Sequence, residues 1–183
     1  MSEPRIAGRS TRRWWPWLLI SAAVIAADQL SKTMVESMLH VGEQHALTGF
    51  FSIVLTYNAG AAFSFLADAS GWQRYLFTVL ALAASALIVW LLRRGGDRVY
   101  CAALSLILGG ALGNLWDRVT LGKVVDFLLL HDYLPFGGRV AAMVDPFPAF
   151  NLADSALSVG VVLLLLDGFR QRRVDRPSGT GTR

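Results

Sequence analysis

Asp28, Asp117, Asp126 and Asp154 are the carboxylates whose surroundings invite chemistry, because each lies in or beside a long apolar run. A charge at the centre of a bilayer costs roughly 2.5–3.5 kcal/mol on insertion scales, so such residues need a partner or a task. Asp28 and Lys32 are four apart on one helical face, where they either satisfy each other as an ion pair or meet a substrate. Asn114, Asp117 and Arg118 stand at i, i+3 and i+4 and so share a face. Asp117 and Arg118 alone could simply end a span at the interface; Asn114, one turn deeper, weakens that explanation. Asn151 precedes Asp154 by three residues, the spacing of a helix N-cap and an acidic side chain in the first turn.

Other chemistries are poorly served. His40, His45 and His131 are scattered, with no His/Glu spacing suited to zinc. No serine or cysteine sits in a nucleophile motif beside a base. Cys101 is the one cysteine, inside an apolar run, so an intramolecular disulfide is impossible. What remains is a pair of carboxylates at one membrane depth, Asp126 and Asp154 foremost. Held close, two carboxylates cannot both ionise easily; one keeps a proton and the other acts as base. Such a pair can activate water against a peptide bond and protonate the leaving nitrogen.

The elements that must position these groups are membrane helices. The chain has 183 residues, 54% of them hydrophobic and 16% charged, with a mean hydropathy of +0.47. A bilayer core about 30 Å thick needs roughly 20 apolar residues of helix. Four spans are predicted: Trp14 through Asp28 toward Met34, Trp72 to Leu92, Val99 to Trp116, and Asn151 to Leu166. Tryptophans 14, 15, 17, 72 and 116 fall at span ends, as interfacial belts do. The net charge of +4 does not indicate a nucleic-acid partner, because the basic residues bracket apolar runs. Arg5, Arg9, Arg12 and Arg13 precede the first span, Arg93, Arg94 and Arg98 link the second and third, and five arginines follow the fourth. The stretch 33–71 has no Lys or Arg, and 119–150 has only Lys123 and Arg139. The positive-inside rule therefore predicts cytoplasmic termini and two long outer loops.

The start resembles a secretory signal, but Asp28 to Lys32 leads back into apolar sequence, and an uncleaved first span is expected. The predicted organisation is a basic cytoplasmic N-terminus at 1–13, a four-helix membrane domain at 14–170 and a disordered tail at 171–183. Phe50 to Tyr57 and Val124 to Leu128 read as strands, which cannot lie bare in lipid. The fold class is thus an all-α membrane protein of four transmembrane helices with a small extracytoplasmic β-like cradle.

Four blocks of residues now carry a family resemblance: Asp28-Gln29-Leu30-Ser31-Lys32; Tyr57-Asn58-Ala59-Gly60-Ala61-Ala62-Phe63-Ser64; Gly109-Gly110 through Gly113-Asn114, Asp117-Arg118 and Gly122 to Val124-x-Asp126-Phe127; and Phe150-Asn151-x-Ala153-Asp154-Ser155. In this order they resemble lipoprotein signal peptidase, the signal peptidase II family of aspartyl endopeptidases. The resemblance implies Asp126 and Asp154 as catalytic dyad, with Asn58, Asn114, Arg118 and Asn151 as polar substrate-binding residues around it. It implies that Asp28 and Lys32 hold the first helix or shape the pocket. Gly110, Gly113 and Asp117 belong to the same structural frame. The implied activity removes signal peptides from prolipoproteins by cutting on the amino side of a diacylglyceryl-modified cysteine, without metal or organic cofactor. The implied setting is the bacterial inner membrane, with the site toward the outer leaflet and a monomer in contact with membrane lipid and lipidated precursors. Leu128 to Phe147 looks longer than the family's pattern and would form the outer flap.

Three rivals make different demands. A proton-relaying transporter would spread carboxylates through the membrane depth. A lipid-binding or assembly subunit would tolerate Asp154→Asn, and a divalent-cation site at Asp126, Asp154 and Asn151 would be sensitive to chelator.

Overall fold

The protein is described here from a computed structural model, which describes residues 13–59, 72–131 and 148–174. Among these, four helices are long and apolar enough to cross a membrane. A 3-10 turn at Trp15–Trp17 feeds α1 (Leu18–Met38), followed by α2 (Trp72–Arg94), α3 (Arg98–Thr120) and α4 (Leu152–Val174). All four predicted spans are present, and their helices outrun them: α1 reaches Met38 and α3 reaches Thr120. The apolar run marks the hydrocarbon, whereas a helix continues into the interface because its backbone stays internally bonded there. For the same reason residues 171–174, expected in the tail, belong to α4. Residues 1–12, the end of the Tyr57–Ser64 block, residues 132–147 of the expected flap and the tail from 175 lie outside the described residues.

α3 is the hub, packing against α1, α2 and α4. Its buried Cys101, Leu104 and Leu108 join Ile88 and Leu92 of α2 in one apolar cluster. The Asp97 side chain caps its start, accepting from Tyr100 N at 2.9 Å. Gly122, at φ +78°, turns the chain out of it toward the next strand.

Gly110 and Gly113 of α3 share a side against Ala153 of α4, while Gly109 turns toward α1. A Cβ on Gly109 would lie 2.7 Å from Val24 Cβ and 2.9 Å from the Ser21 carbonyl, both on α1. One on Gly110 would run into the Ala153 carbonyl of α4, and one on Gly113 would lie 2.9 Å from an Asp28 carboxylate oxygen. Successive residues of a helix are about 100° apart, so neighbouring glycines serve different partners. Gly160 of α4, unremarked in the sequence, answers them: a Cβ there would be 2.8 Å from the Ala103 carbonyl. Gly110→Ala is therefore expected to cost about 1–3 kcal/mol of stability by overpacking. Gly168→Ala, with nothing within 4 Å, is the control, expected to gain up to about 1 kcal/mol from helix propensity. Thermal unfolding in detergent would compare them, and equal shifts would contradict this packing.

Where α1 and α3 finish and α4 begins lies a three-stranded antiparallel sheet, ordered β1-β2-β3: β1 (Gln44–Ala46), β2 (Phe51–Asn58) and β3 (Val124–Leu130). The two longer strands are those predicted. β1 is not, since three exposed residues, Gln-His-Ala, carry no alternation to recognise. Leu55, Val125 and Phe127 pack on Val35 of α1 and seat the sheet on the bundle. A bulge between the Ile53–Leu128 and Thr56–Asp126 pairs bends β2 beside Asp126.

Candidate active site

Asp126 faces away from the apolar seat of the sheet. Its neighbours Val125 and Phe127 pack toward α1, and alternation along a strand turns the residue between them to the other side. There its Oδ1 accepts a hydrogen bond from Asn151 Nδ2 at 2.8 Å and its Oδ2 one from Asn58 Nδ2 at 3.1 Å. Asn58 reaches it from the end of β2, where it pairs with Val124.

Asp154 occupies the first turn of α4, and the cap expected from the spacing is present. Asn151 Oδ1 accepts from Asp154 N at 2.9 Å, and Asp154 Oδ2 accepts from Asn151 N at 3.3 Å, a reciprocal capping box. Capping uses only one of the carboxylate oxygens. Oδ1 accepts from Asn114 Nδ2 of α3 at 2.7 Å.

Two carboxamides join the aspartates. Asn151 Nδ2, bonded to Asp126, also donates to Asn114 Oδ1 at 3.1 Å and to the Val125 carbonyl at 3.2 Å. Asn114 passes from that bond to Asp154, so Asp126–Asn151–Asn114–Asp154 is one continuous chain of hydrogen bonds. The backbone repeats the link. Phe150, just before Asn151, pairs with Leu128, accepting from Leu128 N at 2.8 Å and donating back at 2.9 Å. β3 and the start of α4 are thereby stitched together on either side of the two carboxylates.

The Asp126 carboxyl is pushed up to about 7, first by burial and then by the negative charge of Asp154. The hydrogen bonds from Asn58 and Asn151 and the charge of Lys32 pull the other way and lose. At neutral pH the site therefore holds a carboxyl poised to keep or release its proton, as general acid–base work requires.

Asp28 and Lys32 satisfy each other in the interior. Both are buried, at 0% and 2% exposure, and their ion pair measures 2.7 Å. Lys32 Nζ also lies 2.7 Å from Asp117 Oδ2 and donates to Asn114 Oδ1 at 3.2 Å. Asp117 is thus no interfacial stop paired with Arg118; it is buried and belongs to Lys32. Arg118 turns instead over the Phe77 ring of α2, 5.3 Å from its centroid, and donates to the Asn114 carbonyl at 3.4 Å. The missed residue is Gln29. Its Nε2 donates to Asp117 Oδ1 at 2.8 Å, Asp28 Oδ2 at 3.2 Å and the Gly113 carbonyl at 3.3 Å. Its place beside Asp28 in the first block was the available signal. Among the described residues no group of three His, Cys, Asp or Glu is placed to hold a metal ion.

The family model described as Signal peptidase (SPase) II matches residues 20–170, a range that holds every residue of this site. The chain belongs to the signal peptidase II family. A lipoprotein signal peptidase of Burkholderia ambifaria is 54% identical over 162 residues, covering 88% of this chain and 92% of the relative. One of Pseudomonas fluorescens is 50% identical over 173 residues, covering 93% of this chain and 95% of the relative. Two solved structures of bacterial membrane enzymes, determined by the in meso method, share the fold. One has a TM-score of 0.73 at 27% identity, covering 92% of this chain and 94% of its own; the other has 0.69 at 28%, covering 83% and 91%. This member of the signal peptidase II family is a peptidase and a multi-pass protein of the bacterial inner membrane. The resemblance first seen in four blocks extends over nearly the whole chain.

Proposed function

We propose that Asp126 and Asp154 are the catalytic dyad of a prolipoprotein signal peptidase. The observation that carries this reading is the unbroken chain Asp126–Asn151–Asn114–Asp154, which holds two carboxylates of different environment beside one another. Asp126 keeps the proton and hydrogen-bonds the scissile carbonyl oxygen. Asp154 takes a proton from water, whose oxygen attacks the carbonyl carbon. The tetrahedral intermediate collapses as Asp126 gives its proton to the leaving nitrogen, and the C–N bond breaks. Asn114 and Asn151 orient the carboxylates, while Asn58 and Arg118, at the rim of the site, contact the peptide backbone or lipid ester.

The substrate is a prolipoprotein cut on the amino side of its diacylglyceryl-modified cysteine. The exposed apolar faces of the helices, among them Leu76 and Leu80 of α2 and Trp116 of α3, suit acyl chains arriving sideways from lipid. Arginine placement puts both termini in the cytoplasm and the dyad at the outer leaflet. Residues 14–170 form the working unit, which acts as a monomer.

The test is full-length protein with a diacylglyceryl-modified precursor peptide and its unmodified twin, with products read by mass spectrometry across pH. We expect cleavage of the lipidated peptide alone, leaving the modified cysteine at the new N-terminus. The rate should fall as pH rises through about 7, where Asp126 gives up its proton. Equal cleavage of both peptides, or a rate that keeps rising above that pH, would contradict the reading.

A further inference from the structure

Asp28, Lys32 and Asp117 do more than tie helices together. Asp28 Oδ1 accepts from the backbone N of Ala153 at 2.9 Å, and Ala153 directly precedes Asp154. Asp117 Oδ2 accepts from the backbone N of Val125 at 3.2 Å, and Val125 directly precedes Asp126. Lys32 Nζ sits between the two carboxylates at 2.7 Å from each. Its third donor bond goes to Asn114 Oδ1, in the middle of the chain that joins the dyad. A buried ion pair used only to hold helices together has no need to grip the residue before each aspartate, and hydrophobic packing would do that task as well or better.

We propose that Asp28–Lys32–Asp117 is a caliper that sets the separation of Asp126 and Asp154. Lys32 is the spacer and each carboxylate is a jaw closed on the backbone of one arm. These three are positioning residues, and the proposal rests on the dyad assignment above. Gly113 belongs to the device, because a side chain there would meet the Asp28 carboxylate. Gln29 braces both jaws.

The consequence is readable in the coupling of the two carboxylates. Their apparent pKa values are split apart because each feels the other's charge, and the split shrinks with distance. The charged groups around the dyad are Lys32 and Asp28 from α1, Asp117 and Arg118 from α3, Asp126 from β3 and Asp154 itself from α4. Lys32→Arg keeps the charge count but replaces a compact ammonium by a wide planar fork, opening the jaws. A misplacement of about 1 Å lowers kcat by about 10²-fold, with KM nearly unchanged because the groups that touch substrate are intact. The bell-shaped pH profile of kcat should narrow as its two limbs move together. Gln29→Leu, at a half-exposed position, should do the same more mildly, lowering kcat by about tenfold.

Both variants, Asp126→Asn and wild type are assayed on the lipidated precursor peptide, with folded protein counted by size exclusion. Reduced kcat, steady KM and a narrowed bell in the folded fraction support the caliper. A wild-type kcat and an unaltered bell in folded Gln29→Leu or Lys32→Arg would overturn it, as would Lys32→Arg that merely fails to fold beside an unaffected Gln29→Leu. An active Asp126→Asn would instead overturn the dyad, and the caliper with it.

Discussion

Asp154→Asn is expected to lose cleavage by about 10³-fold or more while remaining folded, since general acid–base groups contribute about 10²–10⁴ each. Asparagine has the shape of aspartate and still accepts the hydrogen bond from Asn114. What it gives up is the weaker cap bond to Asn151 N, 3.3 Å long, worth about 1 kcal/mol. A catalytic deficit of that size beside so small a change in stability would separate chemistry from capping. Asp126→Asn should be as inactive and close to wild type in stability, since the amide gives up one of the two bonds accepted from Asn58 and Asn151, about 1 kcal/mol. Burial already disfavours the charge on Asp126, and a neutral amide removes that cost. Single-turnover rates and thermal unfolding of the purified variants would check both. A variant that cleaves at the normal rate would mean that the carboxylates serve only as structure.

Asn151→Ala is expected to damage stability and activity together. The side chain is fully buried, caps α4 and donates to Asp126, Asn114 and the Val125 carbonyl. Losing a cap costs about 0.5–2 kcal/mol, and orphaned buried acceptors cost about 1–3 kcal/mol. With Asp126 no longer tied to Asn114, the rate should fall by at least about 10²-fold. Asn151→Ser separates the two roles, because serine caps a helix as asparagine does but has no amide to bridge the aspartates. Its melting temperature should recover only the cap's share of the loss, and its rate should not recover. Recovery of both would make the bridge dispensable.

The sequence showed much of this site but little of what holds it. Apolar runs marked the four helices, and β2 and β3 were legible from their β-branched and aromatic residues. Asp126 and Asp154 stood out because carboxylates beside membrane spans are expensive, and the pairing of Asn151 with Asp154 announced the cap that the structure contains. The links between distant segments were not legible. Asp28 and Lys32 read as either an i, i+4 ion pair or a substrate contact, and nothing pointed to the second partner, Asp117, which comes from another helix. The tie from Phe150 to Leu128 is made by backbone atoms, which no residue type advertises. Gly109 and Gly110 are neighbours in the sequence, and only the placement of α1 and α4 shows that they accommodate different helices. Burial decided each of these cases. Whether a polar residue is sealed inside depends on neighbours far along the chain.

The central claim is that Asp126 and Asp154 act as one unit on one water molecule. The most direct measurement is a double-mutant cycle on them, with single-turnover cleavage of the lipidated precursor peptide by wild type, Asp126→Asn, Asp154→Asn and the double variant. Residues that act as a unit are strongly non-additive. We predict that each single variant loses nearly everything and that the double variant is no slower than either. Losses that multiply in the double variant, or a single variant that keeps its activity, would contradict the account.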